Sequence, residues 1–182
     1  MITVKSKDDK IPIYHFVLSC LALTRTYVTI FDTSAFIATS IHQIAQHLPD
    51  PFLQRSTILV PFDDSGLSHS LAEATAADTR AFLIEDTNAL LYLMAPTGDK
   101  SGLHHLSTLF HLVAYSVRIN KAFVIGVVYK READKQSTRS LAKISDVQLD
   151  AEVRNGTLSF SCPTISWPSG HFAIPLYLDE ST

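Results

Sequence analysis

The sequence predicts an α+β fold in which a mainly antiparallel sheet carries two principal helices, followed by a C-terminal β-hairpin and an edge strand. Three observations support this fold class. Two stretches have apolar residues at helical spacing, several runs rich in β-branched residues lie around them, and an Asn-Gly pair joins two alternating stretches near the end. The 182 residues are 46% hydrophobic and 18% charged, which is enough apolar material for the core of one domain.

The first strands are predicted within residues 12–31. Two apolar runs dominated by β-branched and aromatic residues, 14–23 and 26–31, favour a strand pair. Residues 1–11 are polar and of mixed charge, which predicts a short flexible arm before a single domain that spans residues 12–182.

The first principal helix is predicted over residues 32–48. Apolar residues there recur at steps of four, three and four and so share one face: Ile37, Ile41, Ile44 and Leu48. Thr33 or Ser34 can cap the start of this helix, and the two prolines that follow Leu48 end it.

The middle of the chain is predicted to contain a strand, a turn and a hairpin. Residues 56–62 have a strand composition, and the polar residues 63–66 are typical of a turn. A short helix is predicted over 70–77, where Ser and Glu have capping-box spacing. Residues 80–86 and 89–94 then predict a hairpin that turns at Thr87 and Asn88.

The second half is predicted to add one long helix and four strands. Leucines, valines and a phenylalanine at helical spacing predict the second principal helix over 102–118, and an apolar strand follows at 122–129. The alternating stretches 147–153 and 157–162 predict the terminal hairpin around Asn155-Gly156. Residues 171–178 predict an edge strand because Pro175 cannot donate to a ladder.

Charge is strongly segregated along the chain. The net formal charge is −3, yet residues 118–143 contain seven basic and two acidic residues. Residues 130–143 lack an apolar period, which predicts an exposed basic connection. This segment is the candidate contact for an anionic partner, either nucleic acid or a lipid surface, and its alternative is a solvated loop. The candidate residues are Lys121, Lys130, Arg131, Lys135, Arg139 and Lys143.

The triplet Asp64-Ser65-Gly66 raises the possibility of catalysis. Retroviral-type aspartic proteases place such a triplet after an apolar strand, and Phe123-Val124-Ile125-Gly126 resembles their second apolar element. Asp63, however, stands where those proteases have an apolar residue, and Asp, Ser and Gly are common in surface turns. A surface turn is therefore the preferred interpretation, and a small hydrolase using Asp64 is the alternative function.

Other catalytic and cofactor motifs are not found in the sequence. The eight histidines include no pair four residues apart, so no metal site is predicted. No Gly-x-Ser-x-Gly nucleophile, Gly-x-x-x-x-Gly-Lys-Ser/Thr phosphate-binding loop or dinucleotide glycine pattern occurs. A Cys162–His171 pairing lacks a recognisable oxyanion loop. The sequence therefore predicts no catalytic residue, no cofactor and no enzymatic activity.

Residues 12–131 resemble the matrix proteins of rhabdoviruses. The likeness is carried by an opening stretch with Arg25 in its middle and a helix after Asp32, by the central stretch 79–94, and by the helix, basic corner and strand at 105–130. The resemblance implies a viral matrix protein that self-associates, binds viral ribonucleoprotein and the inner membrane leaflet as a peripheral protein, and drives virion assembly and budding. The basic residues given above would then contact RNA or lipid phosphates.

Composition also suggests a location. The two cysteines suggest no disulfide framework, no apolar run is long enough to span a bilayer, and no signal-peptide pattern precedes the apolar residues. A reducing compartment is therefore predicted, and the resemblance implies the virion, the host cytoplasm and the inner face of host membranes, with neither secretion nor a transmembrane segment.

Overall fold

Within the residues that it describes, a computed structural model of the protein shows eight strands in one sheet and four helices whose two ends are both defined. The strands are β1 (Ile2–Val4), β2 (Val28–Phe31), β3 (Ser56–Leu59), β4 (Ala81–Ile84), β5 (Phe123–Tyr129), β6 (Leu149–Arg154), β7 (Thr157–Ser161) and β8 (His171–Pro175). The helices are α1 (Lys10–Leu23), α2 (Phe36–Ala45), α3 (Asp50–Gln54) and α4 (Thr87–Met94).

The structure describes most of the chain, in segments. Its described residues are 1–6, 9–46, 48–61, 63, 66–67, 69–70, 79–94, 104, 108, 111, 113–115, 117–119, 121–129, 142–143, 145–163 and 171–175. Those between 104 and 119 are all helical, which agrees with the second principal helix predicted there.

The sheet is mixed and mostly parallel, with the order β3-β2-β4-β5-β1-β6-β7-β8. Every pairing from β3 to β6 is parallel, and only β6–β7 and β7–β8 are antiparallel. The prediction of a mainly antiparallel α+β sheet is therefore wrong. The fold is α/β, because helical connections return the chain so that successive strands run in the same direction.

Both faces of the central sheet are covered. Ala81 and Leu83 of β4 pack into a core with α1 and α2, whereas Phe82 and Ile84 face a second core that includes Val113 and Val117. Alternate residues of a strand point to opposite faces, so a strand buried on both sides is apolar throughout. This explains the unbroken apolar sequence of β4.

The largest correction concerns the amino-terminal third. The run 14–23, predicted as a strand, belongs to α1, and Pro12 lies in its first turn, where no backbone donor is lost. Ile2–Val4, in the predicted flexible arm, forms β1 and pairs with both β5 and β6. A helix that is apolar on most sides lacks the 3.6-residue period, and its sequence therefore resembles a strand.

A second correction concerns the predicted hairpin at 80–94. Its first half is β4, but its second half is α4, and β4 pairs in parallel with β2 and β5. Asp86 favours a helix over a hairpin turn at this point, because its Oδ1 accepts hydrogen bonds from the backbone N–H groups of Asn88 (3.0 Å) and Ala89 (3.1 Å). This carboxylate caps α4 and starts a helix where the sequence predicts a turn.

Several predicted elements are confirmed. They include β2, α2, β3, β5 and the β6–β7 hairpin, whose turn residues Asn155 and Gly156 have φ values of 50° and 68°. Strand β8 lies at the edge of the sheet, as Pro175 predicts. None of the described helices has the length and apolarity that crossing a bilayer requires.

Candidate functional site

Polar residues converge where two neighbouring parallel strands end. Asp32 follows β2, and Glu85 and Asp86 follow β4. Because β2 and β4 are paired in parallel, these three carboxylates lie at the same carboxyl-terminal edge of the sheet, and all three residues are buried. Ligand sites of open α/β sheets occur at this edge, so the cluster is the candidate functional site.

Lys10, the first residue of α1, enters this cluster and forms an ion pair there. Its Nζ lies 2.8 Å from Oε1 of Glu85, whose side chain is 0% exposed. The Ser34 hydroxyl donates to Oε2 of Glu85 at 2.7 Å. Both oxygens of the carboxylate therefore have a partner, and the charge of Lys10 is neutralised inside the protein.

Aromatic rings enclose the lysine. Its Nζ lies 4.6 Å from the centre of the Phe36 ring and 4.8 Å from that of Tyr129, within the range of cation–π attraction. The Tyr14 hydroxyl bonds to the Glu85 carbonyl oxygen and lies 2.9 Å from the Tyr129 hydroxyl. Burial raises the pKa of both tyrosines well above its usual range, so both remain neutral.

The carboxylates differ in their roles. Burial raises the pKa of Glu85, and the hydrogen bond from Lys10 opposes that shift. Burial also raises the pKa of Asp32, although its Oδ2 accepts the backbone N–H of Ala38 at 2.6 Å in the first turn of α2. Among the described residues, Oδ1 of Asp32 has no hydrogen-bond partner. Asp32 and Asp86 thus accept backbone N–H groups at the starts of helices, whereas Glu85 forms the ion pair with Lys10.

The helix start at Phe36 differs from the prediction for Thr33 and Ser34. Neither hydroxyl caps α2; Thr33 donates to the Asp86 carbonyl oxygen at 2.8 Å and Ser34 donates to Glu85. These two hydroxyls therefore tie the end of β2 to the end of β4 across the candidate site.

Strand β1 and helix α1 follow each other as the strand and helix around a phosphate-binding loop do, but the residues here do not fit a nucleotide. Such loops have the pattern Gly-x-x-x-x-Gly-Lys-Ser/Thr. With Lys10 as the lysine, the two glycine positions hold Val4 and Asp9, and the hydroxyl position holds Ile11. No glycine lets the backbone approach phosphate, Asp9 would repel it, and Ile11 cannot ligate Mg²⁺. Lys10 itself is already paired.

The predicted basic contact residues do not join this cluster. Lys121 and Lys143 are exposed and lie elsewhere, and Lys130, Arg131, Lys135 and Arg139 lie outside the described residues. Asp64 also lies outside them. Within the described part of the chain, no three His, Cys, Asp or Glu side chains are grouped to hold a metal ion.

A separate cavity lies on the face of the sheet opposite to α1 and α2. It has a volume of about 340 Å³ and is lined largely by apolar side chains, among them Val113, Val117, Val124 and Val128. The buried ion pair does not line it, so this cavity and the candidate site are different features.

Sequence reasoning missed the residues of the candidate site. A signal was present, because Asp32 follows the apolar run of β2 and Glu85-Asp86 follows that of β4. Carboxylates that directly follow two buried strands suggest one shared sheet edge if the strands are parallel. The hairpin predicted at 80–94 made the sheet antiparallel and separated these residues.

Comparison with known proteins identifies the fold. No protein-family model matches the chain, and no curated protein matches it. Among solved structures, it is similar to the crystal structure of the RadB recombinase, with a TM-score of 0.66 and 15% sequence identity over 88% of this chain and 79% of that one. At this identity the likeness shows a shared fold alone.

This likeness overturns the predicted matrix-protein family. The predicted virion assembly and budding role, the viral ribonucleoprotein and membrane partners, and the alternative protease are all wrong, because the fold is that of a recombinase and not of a matrix protein. The similar structure is that of a recombinase, so this fold occurs in an enzyme. The lack of catalytic motifs is therefore not enough to support the prediction of no enzymatic activity. For the predicted location, the structure adds only that the described residues contain no membrane-spanning helix.

Proposed function

We propose that this protein acts in DNA recombination as a binding subunit with a recombinase fold that does not hydrolyse nucleoside triphosphates. The recombination role is suggested by the name of the similar structure, the RadB recombinase. The observation that carries the non-hydrolysing part is the buried Lys10–Glu85 pair, which occupies the position where a phosphate-binding loop presents its lysine.

The physical argument is one of competition for Lys10. A nucleotide phosphate would have to displace the Glu85 carboxylate from Lys10, leaving a buried carboxylate without its counter-charge, which is strongly unfavourable. Phosphate would also meet the negatively charged side chain of Asp9, where a glycine would let it approach the backbone N–H groups. The site is therefore complete without a ligand, and the ion pair holds α1 against the end of β4.

The biochemical test measures ATP binding and hydrolysis. We expect calorimetry with ATP and Mg²⁺ to give no saturable binding, and hydrolysis to equal that of Lys10→Ala. Saturable binding, or hydrolysis by the wild type that Lys10→Ala abolishes, would contradict a non-hydrolysing role.

The cellular test measures recombination between repeated sequences. Removal of the gene is expected to lower the recombination frequency, and the Lys10→Met/Glu85→Gln double variant is expected to restore it. An unchanged frequency without the gene would contradict the recombination role, whatever the outcome with ATP.

A further inference from the structure

Cationic residues precede four neighbouring strands at the amino-terminal edge of the sheet, opposite to Lys10 and Glu85. Arg55 directly precedes β3, Arg80 directly precedes β4, Arg25 lies three residues before β2, and Lys121 lies two residues before β5. These strands are adjacent and parallel in the order β3-β2-β4-β5, so their starts lie side by side. Together with Tyr27, these four residues are termed the amino-edge row.

Backbone hydrogen bonds fix the positions of the row. The N–H of Val28 donates to the Arg55 carbonyl at 3.0 Å, that of Arg80 donates to Tyr27 at 3.1 Å, and that of Phe123 donates to Arg80 at 3.0 Å. Neighbouring strands are about 4.8 Å apart, so Tyr27 lies between two arginines whose backbones are about 10 Å apart. Tyr27 is 57% exposed, and Arg80 is exposed beside it.

Two cations of the row have an unfavourable backbone conformation. Arg25 and Lys121 follow helical residues and have φ values of 54° and 52°, in the left-handed region. Their N–H groups donate back to Ala22 at 3.4 Å and Arg118 at 3.4 Å, which places both at the helix-ending position that glycine usually occupies.

The left-handed conformation is not special to these cations, because the uncharged Ala35 also has it, with a φ value of 56°. What Arg25 and Lys121 share is an exposed, charged side chain at a turn on the amino-terminal edge of the sheet.

We propose that the amino-edge row binds single-stranded DNA, with the exposed Arg25, Arg80 and Lys121 contacting phosphates and Tyr27 stacking on a base. Arg55 is half-buried and its Nε donates to the Pro51 carbonyl oxygen at 2.9 Å, so it borders the row without a phosphate contact. An electropositive track with an exposed aromatic ring suits single strands, because only unpaired bases offer a free face for stacking. The proposal rests on the proposed role in DNA recombination. It assigns binding to the edge opposite the ion pair, so the two features can be tested separately.

The test measures binding of labelled oligodeoxythymidine by fluorescence anisotropy at several salt concentrations. Tyr27→Ala is expected to weaken binding about tenfold or more, whereas Tyr27→Phe keeps the ring and retains affinity. Arg80→Gln is expected to weaken binding and to reduce the salt slope by about 0.7.

Arg25→Gly and Lys121→Gly distinguish a DNA-binding role from a structural role, because the two roles predict different changes in thermal stability and DNA affinity. Each relieves a left-handed residue, so thermal stability is expected to stay equal or rise while DNA affinity falls.

Matched controls change similar residues elsewhere. Arg154→Gln removes an exposed cation at the opposite edge, and Tyr92→Ala removes an exposed ring on α4. Both variants, like the Lys10→Met/Glu85→Gln double variant, are expected to retain DNA affinity.

Three results would overturn the proposal: no binding of the oligonucleotide by the wild type, binding that the amino-edge variants leave unchanged, or a preference for duplex DNA or RNA. Each of these would leave the ATP and recombination tests to decide the proposed function. If instead the ATP and recombination tests fail while the oligonucleotide binds as expected, the proposed function is wrong but the DNA-binding site on the amino-edge row stands.

Discussion

Lys10 and Glu85 form a buried ion pair, and removing both charges from water has a high desolvation cost that other contacts must offset. The side chains of the two residues are 11% and 0% exposed, so both charges have been removed from water. Ser34 and the rings of Phe36 and Tyr129 provide the remaining contacts. Such a pair adds little net stability compared with an apolar pair, but each member depends strongly on the other.

Removal of one partner is therefore expected to cost more than removal of both. Lys10→Met should lower the free energy of unfolding by about 3 kcal/mol, because it leaves the Glu85 carboxylate buried without its counter-charge. Glu85→Gln should cost less, since the folded state favours a neutral side chain at this position, and the double variant should lose much less than the sum. Urea unfolding of the four proteins measures this coupling. Additive losses would contradict a coupled pair. Lys5→Met, which removes a solvent-exposed ion pair with Glu152, is the control and should have a small effect.

The raised pKa of Glu85 gives the same pair a dependence on pH. The folded state holds the proton of the Glu85 carboxyl more tightly than the unfolded chain does, so protonation of Glu85 stabilises the folded state. This stabilisation is fully present below the ordinary pKa of 4.5 and is lost as pH rises through the pKa of the folded state. The stability of the wild type relative to Glu85→Gln should therefore increase as pH falls from neutrality toward 4.5. Urea midpoints measured across that range test this, and a difference that is independent of pH or shrinks would contradict it.

At the scale of elements, the carboxylates that follow β2 and β4 decide where helices begin. Asp86 accepts two backbone N–H groups of α4, and Asp32 accepts one of α2. An abrupt helix start after each strand brings the chain back across the sheet. Capping therefore supports the parallel topology, in which Glu85 lies beside Lys10.

Asp86→Ala is expected to destabilise the protein by about 1–2 kcal/mol through loss of the α4 cap. Asp86→Asn keeps an oxygen acceptor and should remain close to wild type. Chemical unfolding with circular dichroism measures both. Equal losses in the two variants would show that the charge of Asp86, and not its acceptor oxygen, matters.

The elements that the sequence predicts well are those with one buried face. Ile37, Ile41 and Ile44 mark α2 clearly, and the alternating residues of the β6–β7 hairpin mark its strands. The run 14–23 is apolar on most sides of α1, even where residues such as Leu23 are exposed, so neither period is visible. The candidate site was lost with these elements, since its residues meet only when α1 is helical and β4 is parallel to β2.

At the scale of the whole molecule, the two edges of the parallel sheet have different properties. The carboxyl-terminal edge is internally neutralised around Lys10 and Glu85, while the amino-terminal edge exposes cations and Tyr27. Ligands of open α/β sheets usually bind at the carboxyl edge. Here we expect the ligand at the opposite edge.

This contrast predicts a selective effect of ligands on thermal stability. At about 1 mM ATP with Mg²⁺, a site with a Kd of about 10 µM would stabilise the fold by about 2.7 kcal/mol, and we expect no such shift. Oligodeoxythymidine is expected to raise the Tm of the wild type and not that of Tyr27→Ala. Thermal melts followed by circular dichroism measure both, and a shift with ATP alone would reverse the assignment of the two edges.

The position of β1 also has a consequence for biosynthesis. Ile2 pairs with Val127 of β5 and with Leu149 of β6, although both partners lie more than 100 residues later in the chain. Strand β1 therefore cannot pair until both of these later strands have left the ribosome. Strands β2, β3 and β4 can assemble earlier, whereas a gap beside β5 has to stay open, which makes a nascent-chain chaperone useful to this fold.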